Sequence, residues 1–221
     1  NPGSTIKPLH ALAALREGVM QPTETVYSSG VLEIANPYTP SEPSRFLDWK
    51  AHGLVDVRSA LARSSNIYFY VAGGGVPSGQ VVPAHKGLGI ERLRSYWLQF
   101  GFNKKMGIDL PGERPGFVPS PDEKSLRSKE PWRLGDTYNI SIGQGDLSIT
   151  PLQLLSMIAS VGNGGTLMRP YVVPHTGVPE ALFDYRDWGD VIEEVRAGMR
   201  DAVIKPYGTA SLLYDLPIPV S

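Results

Sequence analysis

The sequence predicts a mixed α/β (α+β) domain in which helices outweigh strands. Three observations carry this. From Thr150 onward a capping residue, a proline and an apolar run follow one another, the pattern of a helix start. Apolar residues recur at helical spacing in Leu93, Trp97 and Phe100, and again in Val195 and Met199. Candidate strands are short by contrast and lie among turn residues, as in Gly30-Val31-Leu32-Glu33-Ile34. With 221 residues, 41% of them apolar, the chain can bury a sizeable core and form one large domain, residues 1–221.

The elements follow in order. Pro8 does not fit deep inside a helix, so the first helix begins near Ser4, has its body from Leu9 to Arg16 and ends at Gly18. Residues 21–50 carry Pro, Ser and Tyr and read as loops and short strands. Asp56 to Ala62 reads as a short helix, and Asn66 to Ala72 as a second apolar stretch. The glycines from Gly73 to Gly79 read as a flexible loop. Ile90 to Phe100 is helical, and residues 103–136 are rich in turns. Thr150 caps the clearest helix, with Pro151 in its first position, Gln153 completing a capping box and Gly162-Asn163-Gly164-Gly165 ending it. Asp190-Val191-Ile192-Glu193 opens another helix.

Composition excludes several functions. Net charge is −1, from 21 basic and 22 acidic residues, with no basic stripe, so nucleic acid and anionic membrane surfaces are poor partners. With no cysteine there is no disulfide and no thiolate metal site. His10, His52, His85 and His175 lack ligand spacing, so no metal and no cofactor is expected. No apolar run reaches the ~18 residues that span a bilayer, and no signal peptide is visible. The opening Asn1-Pro2-Gly3 and the closing Pro217 to Ser221 both look cut.

Two short motifs point to chemistry. Ser4-Thr5-Ile6-Lys7 sets a lysine three residues after a serine, and Ser64-Ser65-Asn66 is an S-x-N. A serine hydroxyl is a weak nucleophile that needs a base within hydrogen-bond reach. Positions i and i+3 of a helix share a face, so Lys7 can serve Ser4. The helix start adds N–H groups and the positive end of the dipole, which favour a developing oxyanion. Lys7 must be neutral to act. Half-deprotonation at pH 7 requires a drop of about 3.4 pH units from its ordinary value, roughly 4.6 kcal/mol. A helix dipole supplies at most ~2 kcal/mol. Burial and a neighbouring cation must supply the rest, and no second cation is evident in the sequence. The alternative reading of each motif is plain: Ser4 as a helix cap with Lys7 on the surface, and Ser64 and Asn66 as a turn.

The residues around these motifs resemble a class B penicillin-binding protein, a peptidoglycan D,D-transpeptidase. Pro2-Gly3-Ser4-Thr5-Ile6-Lys7-Pro8 resembles that family's P-G-S-T-x-K-P, and Leu61 to Phe69 its A-L-x-x-S-S-N-x-Y-F. Gly107 to Glu113 resembles G-I-D-L-P-G-E, while Gly135-Asp136-Thr137, Ile142-Gly143-Gln144-Gly145, Thr150-Pro151-Leu152-Gln153 and Gly208-Thr209-Ala210 match four further family motifs. I-G-Q-G before T-P-L-Q looks more like the elongation type than the division type.

The resemblance implies the penicillin-binding transpeptidase / serine β-lactamase-like fold. It implies that Ser4 attacks the carbonyl between two terminal D-alanines of a stem peptide. Lys7 takes the proton, Ser64 relays one to the departing D-alanine, and Asn66 bonds Lys7 and the donor's amide. Ser65, Gly143 and Gln144 are implied as substrate-binding. β-Lactam antibiotics imitate the donor. The expected partner is a glycan polymerase of the shape, elongation, division and sporulation family. The expected location is the outer face of the cytoplasmic membrane, with the anchor outside these residues.

The family's third motif, K-T-G or K-S-G, occurs nowhere in the 221 residues; Lys205-Pro206-Tyr207-Gly208 has the wrong spacing. The expectation is a transpeptidase domain cut before the strands that precede Ser4 and before the third motif. That leaves mainly the helical lobe, with much of the five-stranded antiparallel sheet missing. Three rivals stand. A serine β-lactamase would need a deacylation base, and the E-x-x-L-N that supplies it is not present. A β-lactam-sensing receptor needs acylation without turnover. A non-catalytic helical scaffold would keep S-x-x-K only as a relic.

Overall fold

The computed structural model describes residues 1–36, 39, 41–80, 83–174 and 177–216; His175 and residues 217–221 lie outside them. The chain enters through a 3₁₀ turn, Gly3–Ile6, that runs straight into helix α1, Lys7–Arg16. Pro8 falls in the first turn of α1, where its missing N–H leaves no bond unmade. Gly18, at φ +62°, ends the helix and turns the chain so that Val19 and Met20 donate back to Ala14 O. Every residue from Lys7 to Ala14 is buried, Lys7 and His10 included, so α1 is enclosed on all sides and runs through the middle of the molecule.

Strands β1 (Val26–Ser28), β2 (Val31–Ile34), β3 (Ser44–Leu47) and β4 (Gly53–Val55) follow. β1 pairs antiparallel with β4, with Val26 opposite Val55, and β2 with β3, with Val31 opposite Leu47. Helix α2, Val57–Ala62, starts from Asp56, whose side chain accepts from Ser59 N. Helix α3, Asn66–Gly74, starts from Ser65, whose hydroxyl accepts from Tyr68 N. Helices α4 (Gly89–Gln99), α5 (Pro121–Ser128), α6 (Leu134–Ser141) and α7 (Pro151–Gly162) come next, then the antiparallel pair β5 (Thr166–Met168) and β6 (Ala181–Asp184), then α8 (Gly189–Ile204).

Helices α2, α3, α4 and α8 pack around α1. α2 lies along α8, where a Cβ at Gly198 would stand 2.8 Å from Leu61 Cδ1. Among the described residues the strands form three two-stranded ladders and no larger sheet, so the helical lobe dominates as expected.

The expected capping box of α7 is present: Thr150 Oγ1 accepts from Gln153 N, and Gln153 Oε1 accepts from Thr150 N. Two readings are corrected. Gly73 and Gly74 are not loop but the last turn of α3, pressed on α6; a Cβ at Gly73 would stand 1.8 Å from Ser141 Oγ. Gly75, at φ +74°, then turns the chain so that Val76 pairs with His85. The turn-rich stretch also holds a helix, α5, which has no buried residue and hence no apolar stripe to betray it.

Candidate active site

Ser4 lies in the 3₁₀ turn ahead of α1 and is exposed. In such a turn residues i and i+3 eclipse, so Ser4 and Lys7 open onto the same cleft, of about 600 Å³. Ser64 and Thr209 border it as well, and α7 and α8 give it an apolar wall through Leu154, Leu155, Ile158, Met199 and Val203. The turn is held from the other side by Gly143. Gly3 N donates to Gly143 O at 3.0 Å, and a Cβ at Gly143 would stand 2.1 Å from Gly3 O. Only glycine permits that approach, and its φ of +74° suits glycine as well. Gln144, the next residue, is exposed.

Lys7 is not a surface lysine: it is 1% exposed. Its Nζ donates to Ser64 O at 2.8 Å, Asn66 Oδ1 at 2.8 Å and Ser64 Oγ at 3.1 Å. None of these bonds goes to Ser4. The first two partners can only accept, and together they use two N–H groups. The third is a hydroxyl, which can also donate. A neutral amine therefore fits the same cage, with Ser64 Oγ–H turned toward its lone pair. Burial pushes Lys7 down to about 7, against the pull of the Asp48 carboxylate, which raises it. The cation expected to help is not among these causes; desolvation does the work alone. The Phe69 ring lies 5.4 Å from Nζ.

Ser64 joins α2 to α3 at φ +52°, a left-handed conformation that costs a serine about 1–2 kcal/mol. Ser64 N donates to Leu61 O and Ser65 N to Ala60 O, closing the turn. Ser65 had been expected to bind substrate. It is instead fully buried, donating to Asp48 Oδ2 at 2.8 Å, so its hydroxyl is already spent inside the fold. Asn66 starts α3 with its Oδ1 on Lys7 and its Nδ2 on Leu47 O at 3.2 Å.

One turn beyond Lys7, His10 is buried between two partners. Its Nδ1 donates to Ser141 O at 2.8 Å, and its Nε2 accepts from Trp97 Nε1 at 2.8 Å. Since indole only donates, this fixes the neutral Nδ1–H tautomer. Burial pushes His10 down to about 4. His52 stands buried 3.6 Å from Asp48, and His85 bonds Glu24 at 3.1 Å. Among the described residues no cluster of His, Asp and Glu could hold a metal ion.

Sequence reasoning paired Ser4 with Lys7 and brought in Ser64 and Asn66. It missed Asp48, the acid beneath the S-x-N turn, because no local pattern ties a loop carboxylate to a turn 17 to 19 residues on.

Comparison with known proteins follows the same lines. The penicillin binding protein transpeptidase domain family matches residues 1–219. The peptidoglycan D,D-transpeptidase MrdA of Acinetobacter baumannii is 35% identical over 177 residues, which are 79% of this chain and 24% of that protein. The chain spans a quarter to a third of the length of these curated relatives. Among solved structures, penicillin-binding protein 2 of Pseudomonas aeruginosa, in complex with WCK 5153, superposes with a TM-score of 0.79 at 32% identity, covering 96% of this chain and 46% of that one. A chain of a peptidoglycan synthase complex described as coordinating polymerization and crosslinking gives 0.73 at 25% identity, covering 98% and 34%. A match over all but two residues, with Ser4, Lys7 and Ser64 lining one cleft and Asn66 bonded to Lys7, places this chain in the penicillin binding protein transpeptidase domain family.

Proposed function

We propose that this chain is the catalytic lobe of an elongation-type peptidoglycan D,D-transpeptidase that β-lactams acylate. The observation that carries the reading is Lys7: buried beside the cleft that Ser4 opens onto, bonded to Ser64 and Asn66 of the S-x-N turn, and with a midpoint near neutrality. A lysine held this way is a general base at physiological pH.

Ser4 Oγ attacks the carbonyl carbon of the penultimate D-alanine of a stem peptide, and its proton passes to Lys7 Nζ. The tetrahedral oxyanion takes a hydrogen bond from the backbone N–H of Ser4. As the C–N bond breaks, the terminal D-alanine leaves as an amine, collecting a proton through Ser64 Oγ from Lys7. The neutral amine of a second stem peptide then attacks the acyl carbon, giving its proton to Lys7 through Ser64 Oγ; the ester C–O bond breaks as the new amide forms, and Lys7 returns the proton to Ser4 Oγ. Asn66 holds Lys7 and the donor's amide, and Gly143 sets the turn that presents Ser4. No group for the substrate carboxylate is assigned within residues 1–221; by the family pattern the third motif would supply it.

We place the whole protein at the outer face of the cytoplasmic membrane, paired with a glycan polymerase of the shape, elongation, division and sporulation family. The similarity to a synthase that couples polymerization to crosslinking supports that partner. No helix among the described residues is long and apolar enough to cross a membrane, so the anchor is assigned elsewhere. The test is release of D-alanine from a stem pentapeptide by the full-length protein. Release that Ser4→Ala abolishes is expected; release that survives Ser4→Ala at full rate refutes the assignment.

A further inference from the structure

The S-x-N turn is strained, yet it must hold Asn66 and Ser64 on one lysine nitrogen. The tripeptide Leu47-Asp48-Trp49, the last residue of β3 and the first two of the loop to β4, holds it in place. Asp48 has a fully buried side chain. Its Oδ2 accepts from Ser65 Oγ at 2.8 Å, Asn66 N at 2.9 Å, Ser28 Oγ at 3.0 Å and Ile67 N at 3.1 Å. Leu47 O accepts from Asn66 Nδ2 at 3.2 Å and from Tyr70 Oη at 3.1 Å. Trp49 Nε1 donates to Arg63 O at 3.1 Å, on the other side of Ser64. With Nδ2 fixed on Leu47 O, the carboxamide has one orientation, and its Oδ1 must face Lys7.

We propose that Asp48 is the positioning residue of this site, the buried carboxylate that pins the start of α3 so that Asn66 Oδ1 and Ser64 stay on Lys7 Nζ. This rests on the transpeptidase reading above. Three features support it. A carboxylate at the first N–H groups of a nine-residue helix is in its favoured place. Ser64, at φ +52°, does not keep its geometry unaided. Burial pushes the Asp48 carboxyl up, but the N–H groups of Asn66 and Ile67, the Ser65 hydroxyl and Trp49 N–H outweigh it and hold it below the usual carboxylate range. Asp48 is therefore an anion throughout the working pH range. The titratable groups about it are Lys7 from α1, whose ammonium it attracts, and His52 from its own loop, which burial pushes down toward the neutral form; Lys50 and Arg63 bear on His52 in turn.

Two functions are thus joined in one side chain. It orients the cage, and it sets how strongly Lys7 holds its proton. A purely structural residue would do only the first.

The experiment compares Asp48→Asn with the wild type in the full-length protein, reading the rate of labelling by a fluorescent penicillin across pH 5.5–9 and the Lys7 midpoint by NMR of its ¹³Cε. Asn has a single accepting oxygen, so it cannot serve both the four donors at Oδ2 and Trp49 N, which donates to Oδ1 at 2.9 Å, and it carries no charge. The plateau rate should fall at least tenfold, and both midpoints should move to lower pH. A variant with unchanged rate and unchanged midpoints overturns the proposal. If Asp48→Asn does not fold, Ser28→Ala decides, since it removes a single donor from Oδ2: a two- to threefold slower rate supports the proposal and an unchanged rate overturns it. If the wild type takes no label, the transpeptidase reading fails and the proposal with it; a Lys7 midpoint that ignores Asp48→Asn in a protein that does label refutes the proposal alone.

Discussion

Lys7 yields the sharpest consequence. Burial takes it from 10.5 to about 7. A drop of about 3.5 pH units corresponds to about 4.8 kcal/mol between the two protonation states. At an unshifted value only about one lysine in 3,000 would be neutral at pH 7; near 7, half are, a gain of roughly three orders of magnitude in available base. The rate of acylation by a penicillin, followed by stopped flow at subsaturating drug, should therefore rise about tenfold from pH 6 to pH 8 and level off above. The sign is set by the free enzyme: protonation of Lys7 removes the base, so activity falls toward acid. Lys7→Ala should lose at least a hundredfold at every pH and flatten the profile, as removal of a general base does. A wild-type rate that is flat from pH 6 to pH 8, or a Lys7→Ala protein that acylates near normally, would refute the claim that desolvation turns this lysine into the base. The same desolvation bears on stability. Above pH 10.5 Lys7 is neutral in both states and costs nothing; as the pH falls to 7 the unfolded chain takes up a proton that the fold resists, at a cost of up to about 5 kcal/mol.

Three further outcomes follow from the packing. Gly143→Ala would set a Cβ 2.1 Å from Gly3 O at a left-handed φ, so penicillin acylation should drop at least tenfold, and an unchanged rate would show that this contact does not set Ser4. Gln153 is buried, its Nε2 reaching Gly101 O, Lys104 O and Pro115 O; Gln153→Ala should cost about 3 kcal/mol in urea unfolding, and a loss below about 1 kcal/mol would contradict its role as the bolt of that loop. His10 is neutral in both states above pH 6.5; as the pH falls toward 4 only the unfolded chain binds the proton, so stability should drop by about 3 kcal/mol over that window and less in His10→Gln, with equal slopes in the two proteins contradicting the assignment.

The sequence revealed what is local. Thr150, Pro151 and Gln153 announce α7 because a capping box is written in four residues, and Gly18 announces the end of α1. Ser120, Pro121 and Glu123 carry the same signal for α5, where Ser120 Oγ accepts from Glu123 N, and it passed unread because no apolar stripe followed. Gly73 and Gly74 misled for the opposite reason: their flexibility is a property of the free chain, while their use here is close contact with Ser141 and Tyr138. The S-x-x-K pair was legible from spacing, but the cage was not. Lys7 meets Ser64 and Asn66 across 57 and 59 residues, a link that only the family resemblance supplied. Asp48 had neither spacing nor resemblance to mark it; the chain reaches it by pairing β2 with β3 and β1 with β4.

The central claim is that Ser4 is the nucleophile at this cage, and the most direct test is intact-protein mass spectrometry after incubation with a penicillin, followed by peptide mapping. One adduct of the drug's full mass on the peptide that contains Ser4 is the predicted result. An adduct mapped to any other residue, or none on a folded full-length protein, would contradict it.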